Sequence, residues 1–386
     1  QLSRHSLSLS PFSSPSSFPL FLFLPFFPPP LFFSFSSSSL PLSFLFLPPL
    51  FFFLLSSFSL PSLSSLSSPL SSSPTAVASA RHAGEGAVAI DGGELTHPER
   101  ILFPEQGVTK LALARYYEDI HEWMLPHLAY RPLVLLRCPE GREACFYQKH
   151  LAKSQARAVP RVTIKEDGKV RGYVHVRSLA DVLALVQNGV LEFHAWGCRV
   201  DDVEHPDLLV FDLDPARDVA WEKVLRTARE LRERLQQLGL TAFPRTTGGK
   251  GLHLVVPLRP HADWDTAKAF ARAVVERQAK DQPRLLTTNM ALTKRRGRIF
   301  LDYLRNNRGS TAIASYSVRA RLRATVAVPL RWDELSPAVH SDHYTLETLP
   351  RRLRALRTDP WEGFFEAAVP LSATLLKAVG IDLRGV

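Results

Sequence analysis

Hydrophobic and polar positions fall into two regimes along the chain. From Ser6 through Pro74 every residue is Phe, Leu, Ser or Pro, and the prolines break every apolar run. From Leu95 onward the pattern becomes periodic. Thr109 is a good N-cap for a helix through Trp123, with Leu113, Tyr116, Tyr117 and Ile120 on its apolar side. Residues 132–136 and 146–150, separated by a turn at Gly141, read as strands. Residues 162–176 read as a β-hairpin turning at Asp167-Gly168. Ser178 with Asp181 predicts a capping box and a helix through Val186. A strand over 208–214, ended by Pro215, precedes an amphipathic helix over 221–238. That helix carries Val224, Leu225, Ala228, Leu231, Leu235 and Leu238 on one stripe, and Gly239 closes it. A strand over 252–256, a helix from Asp263 to about Ala279 and a strand over 298–303 follow. Strands alternating with helices, with no internal repeat, argue for an α/β (α+β) fold.

Composition changes the reading of the first regime. Phe, Leu, Ser and Pro are the four amino acids whose codons can be written with pyrimidines alone, and the chain begins with Gln. Residues 1–75 are therefore expected to be repetitive nucleic acid read as coding sequence, or a disordered tail. A signal peptide would want a basic start, and Arg4 is the one Lys or Arg there. A membrane-spanning helix would need about 20 apolar residues with few breaks. Residues 76–94, rich in Ala and Gly, read as a linker, and 95–375 as the folded domain.

The charge balance is 47 Lys and Arg against 37 Asp and Glu, a net +10. Setting the tail aside removes Arg4 and no acid, so the remainder carries +9. Such a surplus suits a polyanionic partner such as nucleic acid. The three cysteines, Cys138, Cys145 and Cys198, form no C-x-x-C pair. Neither a zinc site nor a disulfide framework is expected, and buried reduced thiols are.

Three stretches carry candidate chemistry. In the strand Leu-Val-Phe-Asp-Leu-Asp-Pro, Asp212 and Asp214 share a face because alternate strand residues do. Adjacent carboxylates repel, and a divalent cation with a taste for oxygen ligands relieves that repulsion. Two solvated acids at a sheet edge are the plainer alternative, disfavoured by the apolar flanks. Thr246-Thr-Gly-Gly-Lys-Gly-Leu-His253 offers glycines that let a backbone approach phosphate, plus the Lys250 cation and the Thr247 hydroxyl. Its spacing is not that of a P-loop, and a tight turn would explain it equally. Asp302 lies in a third apolar strand, where a lone aspartate is usually structural. Lys294, Arg295, Arg296, Arg298, Arg305, Arg308, Arg319 and Arg321 surround it in sequence.

Taken in order, Asp212-Leu-Asp, Thr247-Gly-Gly-Lys-Gly-Leu-His253 and Asp302 resemble the three motifs of archaeo-eukaryotic primases. Longer phrases resemble the polymerase domain of bacterial DNA ligase D more closely. They are Leu95-Thr-His-Pro-Glu-Arg-Ile-Leu-Phe-Pro, Gly189-Val-Leu-Glu-Phe-His-Ala-Trp-Gly, Asp302-Tyr-Leu-Arg-Asn-Asn-Arg-Gly and Tyr316-Ser-Val-Arg-Ala-Arg. The resemblance covers nearly all of the chain after the tail. It implies a primase-polymerase fold with a central mixed β-sheet flanked by helices.

The resemblance also implies roles. Asp212, Asp214 and Asp302 would be catalytic and hold two divalent cations, Mn²⁺ or Mg²⁺. His194, Thr247, Lys250, His253, Arg305 and Arg319 would bind the incoming nucleoside triphosphate. Phe146 and Tyr147 would stack on a template base, and Lys110 and Lys149 would meet DNA phosphates, including a 5′-phosphate at a break. Two departures stand out: the family commonly has Ser where Thr247 stands and Pro where Ser315 stands, the latter expected to loosen its turn. Implied partners are DNA ends, a template strand, NTP or dNTP, Ku and a ligase, with no membrane; the implied location is the bacterial cytoplasm. The ligase and phosphoesterase domains of that family are not recognisable, so a stand-alone polymerase or a piece of a longer protein is expected. Two rival readings exist. One is a DNA-end-binding module without activity. The other is an ATP-dependent ligase fragment, from the K-x-D-G match Lys165-Glu-Asp-Gly168, which falls at the expected hairpin turn.

Overall fold

The computed structural model describes residues 86–142, 144–150 and 159–382. The expectations for residues 1–75 and for the first part of the linker lie outside them. Two small hairpins come first, β1 (Val88–Ile90) with β2 (Gly93–Leu95) and β3 (Ile101–Phe103) with β4 (Val108–Thr109). The first of these falls in the stretch read as a linker, so regular structure starts before Leu95.

Helix α1 (Lys110–Leu128) begins where expected, with the Thr109 hydroxyl accepting from the Ala112 N–H at 3.1 Å. It runs past Trp123 because Met124 and Leu128 extend the buried stripe and Pro126 falls only in its last turn. Strands β5 (Leu133–Arg137), β6 (Phe146–Gln148), β7 (Arg161–Glu166) and β8 (Lys169–Val174) follow. The β7–β8 turn is at Asp167-Gly168, both at positive φ (48° and 73°). Helix α2 (Leu179–Gln187) is capped differently from expectation. Ser178 makes no side-chain cap bond, and Asp181 instead accepts from the Arg177 N–H at 2.8 Å.

Next come β9 (Val190–Trp196), β10 (Leu208–Pro215), α3 (Trp221–Gln237), β11 (Phe243–Thr246), β12 (Leu252–Pro257) and α4 (Trp264–Asp281). The chain continues through β13 (Leu286–Thr287), β14 (Ile299–Asp302), β15 (Thr311–Ile313), α5 (Leu349–Ala355) and α6 (Ala373–Ala378).

The α/β class holds, but two sheets take the place of one central sheet. One has the order β11-β12-β10-β14-β13 and is mixed, since β13 and β14 run parallel. The other is antiparallel, in the order β15-β9-β5-β8-β7, with β6 also on β5. In the first sheet, Leu209, Phe211 and Leu213 of β10 and Leu252, Leu254 and Val256 of β12 join the stripe of α3 and the buried side of α4 in the main core. Alternation sends Val210, Asp212 and Asp214 to the opposite face. That face is apolar at one end, where Val210 and Val255 pack with Phe243, Trp361 and Phe364, and polar at the other. In the second sheet Leu191 and Phe193 of β9 enter the main core with α1 and α2, while Glu192 and His194 face away.

Arg131, just before β5, is buried and grips Asp207, just before β10, with two bonds of 2.5 and 2.8 Å. This paired charge ties the roots of the two sheets together. The bidentate geometry compensates the desolvation of a charge that could not stand buried alone.

The cysteine expectation is corrected. Cys138 and Cys145 form a disulfide and Cys198 is free and buried. The reason is register. Arg137 pairs with Phe146 across the β5–β6 hairpin, so the next residues inward, Cys138 and Cys145, stand opposite each other.

Beyond the end of β14, the edge of β10 is covered by one side chain. Asn306 is buried; its Oδ1 accepts from the Val210 N–H at 2.7 Å, and its Nδ2 donates to the Val210 carbonyl at 2.9 Å. The amide thus continues the ladder where no strand remains. Asn306→Ala would leave both backbone groups buried and unpaired, at a cost of about 2–4 kcal/mol. Urea denaturation of the variant is expected to show that loss; a change below about 1 kcal/mol would remove the ladder role.

Candidate active site

Asp212 sits directly opposite Asp302 in the β10–β14 ladder and opposite His253 in the β10–β12 ladder. Directly opposed residues share a face. Asp214 shares it too, two residues along β10. The reading of Asp212, Asp214 and Asp302 as one acidic face follows from this register, which no motif spelled out.

Cations surround the acids. Arg305, from the 3-10 turn after β14, reaches Asp212 Oδ2 at 3.2 Å and Asp302 Oδ2 at 3.5 Å. Lys250 lies 2.9 Å from Asp214 Oδ1, and Arg295 lies 3.2 Å from Asp214 Oδ2 while stacking on the Phe300 ring at 3.7 Å. With side chains so engaged, no three His, Cys, Asp or Glu among the described residues are arranged around a common metal position. The two opposed acids differ in character. Burial works against ionisation of Asp212, yet His253 and Arg305 outweigh it and hold the carboxyl down to about 2. Asp302 is raised, first by burial and then by the Asp212 charge, which Arg305 only partly offsets. This is the expected signature of like charges forced together.

His253 is buried, and burial pushes its ring down to about 4, so it is neutral at pH 7. Arg245, also buried, places Nη2 2.8 Å from His253 Nδ1. A guanidinium only donates, so Nδ1 must accept and Nε2 carries the proton. That N–H is 3.6 Å from Asp212 Oδ2. Arg245 also donates Nη1 to the Ser315 hydroxyl at 3.1 Å. Ser315 is buried, and its hydroxyl accepts from Arg245, a contact that a proline there could not make.

The Gly-rich loop packs onto β10. A Cβ on Gly251 would come within 2.8 Å of the Leu213 carbonyl oxygen, which excludes any larger residue there. Gly248 has φ +64°, and its Cβ would stand 2.9 Å from the Val326 backbone. The Thr247 hydroxyl donates to the Gly251 carbonyl at 3.1 Å and contacts Ser341 Oγ at 3.1 Å. It is thus engaged in holding the loop. Ser341 donates to the Gly251 carbonyl at 2.5 Å and Thr325 to the Gly248 carbonyl at 2.5 Å. Both pins come from a segment far along the chain that no local pattern marks.

The cleft between the polar faces of the two sheets has a volume of about 280 Å³. Asp212, Asp214, Thr247, Lys250, His253 and Arg305 line it from the mixed-sheet side. His194 and Tyr147 line it from the other sheet, with ring centroids 5.3 Å apart, and Arg319 and Arg321 close it. Asp302, opposite Asp212 in the ladder, is not among the residues that line the cleft. The remaining candidates lie elsewhere. Phe146, adjacent to Tyr147 in β6, points to the opposite face, 5.7 Å from the Arg137 guanidinium, so the two rings do not form one platform. Lys110 is buried and lines a second cavity of about 220 Å³ with Arg100, Arg137 and Asn188. Its ammonium donates to the Thr96 carbonyl at 2.9 Å and to Gln187 Oε1 at 2.7 Å. Lys149 is half-exposed and 3.5 Å from Glu166 Oε1. Lys165, of the K-x-D-G match, is on exposed strand β7 and lines neither cavity.

Sequence reasoning missed Glu192, Arg245, Ser341 and Thr325. Glu192 was visible within the phrase around His194, as its i−2 neighbour on a strand. Ser341 and Thr325 carried no signal, because each acts by long-range contact. Arg245 meets His253 across the β11–β12 pairing, eight residues away, on a strand too short to carry a pattern of its own.

Comparison with known proteins places the chain in a family. The profile of the family described as LigD, primase-polymerase domain, matches residues 109–361. A multifunctional non-homologous end joining protein LigD of Pseudomonas aeruginosa is 35% identical over 311 residues, covering 80% of this chain and 37% of that protein. One of Mycolicibacterium smegmatis is 36% identical over 245 residues, covering 63% of this chain and 32% of that protein. The chain thus spans about a third of the length of these curated relatives. The solved structure of the polymerase domain from Mycobacterium tuberculosis ligase D in complex with DNA superposes with a TM-score of 0.66 at 32% identity. The match covers 71% of this chain and 98% of that one. By the match over residues 109–361, the chain belongs to the LigD primase-polymerase domain family.

Proposed function

We propose that the chain is a template-dependent nucleotidyltransferase that fills gaps and extends DNA ends in non-homologous end joining. One observation carries the reading: Asp212, which lines a cleft together with Asp214, Lys250, Arg305, Arg319 and Arg321, is forced against Asp302 on one sheet face. Acids facing cations across a cleft of this size suit a triphosphate and its counter-ions.

In the reaction a primer 3′-oxygen bonds to the α-phosphorus and the bond to pyrophosphate breaks. The donor set fits hard divalent cations: three carboxylates on one face, one of them poorly compensated. Asp212, Asp214 and Asp302 would hold two Mn²⁺ or Mg²⁺ ions, which supply Lewis acidity at the attacking and leaving oxygens. The chain's own side chains position and neutralise. Lys250, Arg319 and Arg321 offer charge to the phosphates. Neutral His253 and His194 offer single hydrogen bonds of fixed sense, and Tyr147 offers an exposed ring to a base. Thr247 would act through the loop that its hydroxyl braces. Arg305, Arg295 and Lys250 balance the acids' charge, and bound cations would take over that role.

The cavity around Lys110, with Arg100 and Arg137, suits the 5′-phosphate of a DNA end. Phe146 over Arg137 would lie beside the DNA there, and Lys149 would contact its backbone. The solved relative is a polymerase domain in complex with DNA, which supports DNA binding here. The longer relatives are multifunctional end-joining proteins, which supports a role in end joining; Ku and a ligase are the partners that role would call for.

Three outcomes are expected. Primer extension on a 5′-phosphorylated gapped duplex with Mn²⁺ proceeds with wild type and is abolished in Asp212→Ala and Asp302→Ala. Absence of extension by folded wild-type protein that still binds DNA would sink the enzyme reading.

Divalent cation at a hundredfold excess over its Kd raises the melting temperature by about 5 °C. A carboxyl raised in the folded state costs stability once the pH exceeds its unfolded value, so Asp302→Asn is expected to melt higher than wild type without metal and to lose the metal increment. Equal metal increments in both proteins would argue against Asp302 as a ligand.

Burial, with the Arg100 charge, lowers the Lys110 ammonium to about 8. It is charged below that value and neutral above it. The preference for 5′-phosphate over 5′-hydroxyl ends should therefore be full at pH 7, weaker at pH 9, and absent in Lys110→Gln at both. A preference in that variant equal to wild type's would exclude Lys110 from the phosphate site.

A further inference from the structure

Glu192 lies in the middle of β9 and is 3% exposed. It shares a face with His194, two residues on. Its Oε2 accepts from His194 Nε2 at 2.8 Å and from Arg319 Nε at 3.0 Å. Its Oε1 accepts from the Ala320 N–H at 2.8 Å. Burial opposes the charge, but the His194 bond and the Arg319 guanidinium outweigh it and hold the carboxyl down to about 2. A carboxylate in that state accepts only, so His194 must present Nε2–H to it and Nδ1 becomes an acceptor. Arg319 passes the constraint on, donating Nη1 to the Thr247 carbonyl at 2.6 Å. One buried carboxylate therefore links the antiparallel sheet, the segment at Arg319–Ala320 and the start of the glycine-rich loop. Its neighbours Leu191 and Phe193 supply the packing of β9, so the core itself has no use for a charge at this position.

We propose that Glu192 is a positioning residue for the incoming nucleotide: it sets the tautomer of His194 and the orientation of Arg319 without touching substrate. This inference rests on the reading of the cleft as a nucleotide site.

The test is steady-state primer extension on the gapped duplex, with nucleotide KM, kcat and DNA Kd measured separately. Glu192→Gln keeps the shape and removes the charge. Its nucleotide KM is expected to rise about tenfold, with kcat within about twofold and DNA Kd unchanged. Glu192→Asp keeps the charge and shortens its reach, and a smaller rise in KM is expected. In a background carrying His194→Ala and Arg319→Ala, Glu192→Gln should add little, because the groups it acts through are gone. A purely structural role predicts the opposite: DNA Kd and kcat worsening along with KM, and an undiminished loss in that background. Unchanged KM in folded Glu192→Gln overturns the inference while leaving the nucleotide site intact. Wild-type protein that neither extends a primer nor binds nucleotide overturns the reading of the cleft and this inference with it.

Discussion

Two carboxylates, Asp212 and Asp302, stand opposite each other on neighbouring antiparallel strands, largely out of water, and the site is organised around their repulsion. The ladder leaves no freedom to separate them, since moving one strand by a residue would turn every core side chain of that strand outward. The charge must instead be met from outside the sheet. Arg305 bridges both acids, Lys250 and Arg295 take Asp214, and neutral His253 offers one hydrogen. Lys250, Arg295 and Arg305 come from loops and turns, whereas His253 is buried in β12. The acids are held rigidly by strands.

That division of labour recurs across the fold. The face of the mixed sheet that bears the acids is sealed at one end by Phe243, Trp361 and Phe364 and opens to the cleft at the other. The opposite face is wholly committed to α3 and α4. One strand therefore does two jobs through its alternation, with Leu209, Phe211 and Leu213 anchoring and Val210, Asp212 and Asp214 presenting. Arg131 and Asp207 join the segments that lead into the two sheets through a largely buried, bidentate ion pair.

Polar groups buried behind the cleft form directed networks, not isolated pairs. Arg245 dictates which nitrogen of His253 carries its proton, and Glu192 does the same for His194. Ser341 and Thr325 brace the glycine-rich loop from behind. Each of these is a donor or acceptor whose partner has only one possible sense, so orientation is fixed by chemistry as well as by packing.

Much of this was legible along the chain. The stripes of α1, α3 and α4, the alternation of β10 and β12, and the turn at Asp167-Gly168 are local periodicities. Local backbone geometry reads them without help from distant residues. The pairing of Asp212 with Asp214 followed from the same alternation. Other features were not legible. Strand β9 is interrupted by Glu192 and His194, whose polarity breaks an apolar run, and β11 is short and contains a proline. The division into two sheets, the disulfide between Cys138 and Cys145, the opposite facing of Phe146 and Tyr147, and the burial of Lys110 all depend on which strands become neighbours. So do the roles of Arg245, Ser341 and Thr325, which touch the site from as far as 94 residues away. The sequence by itself determined the elements and the chemistry carried on each. Which acids meet, and which side chains brace them, was decided only by tertiary register, because a strand's own residues specify its two faces but not the strand that comes to lie beside it.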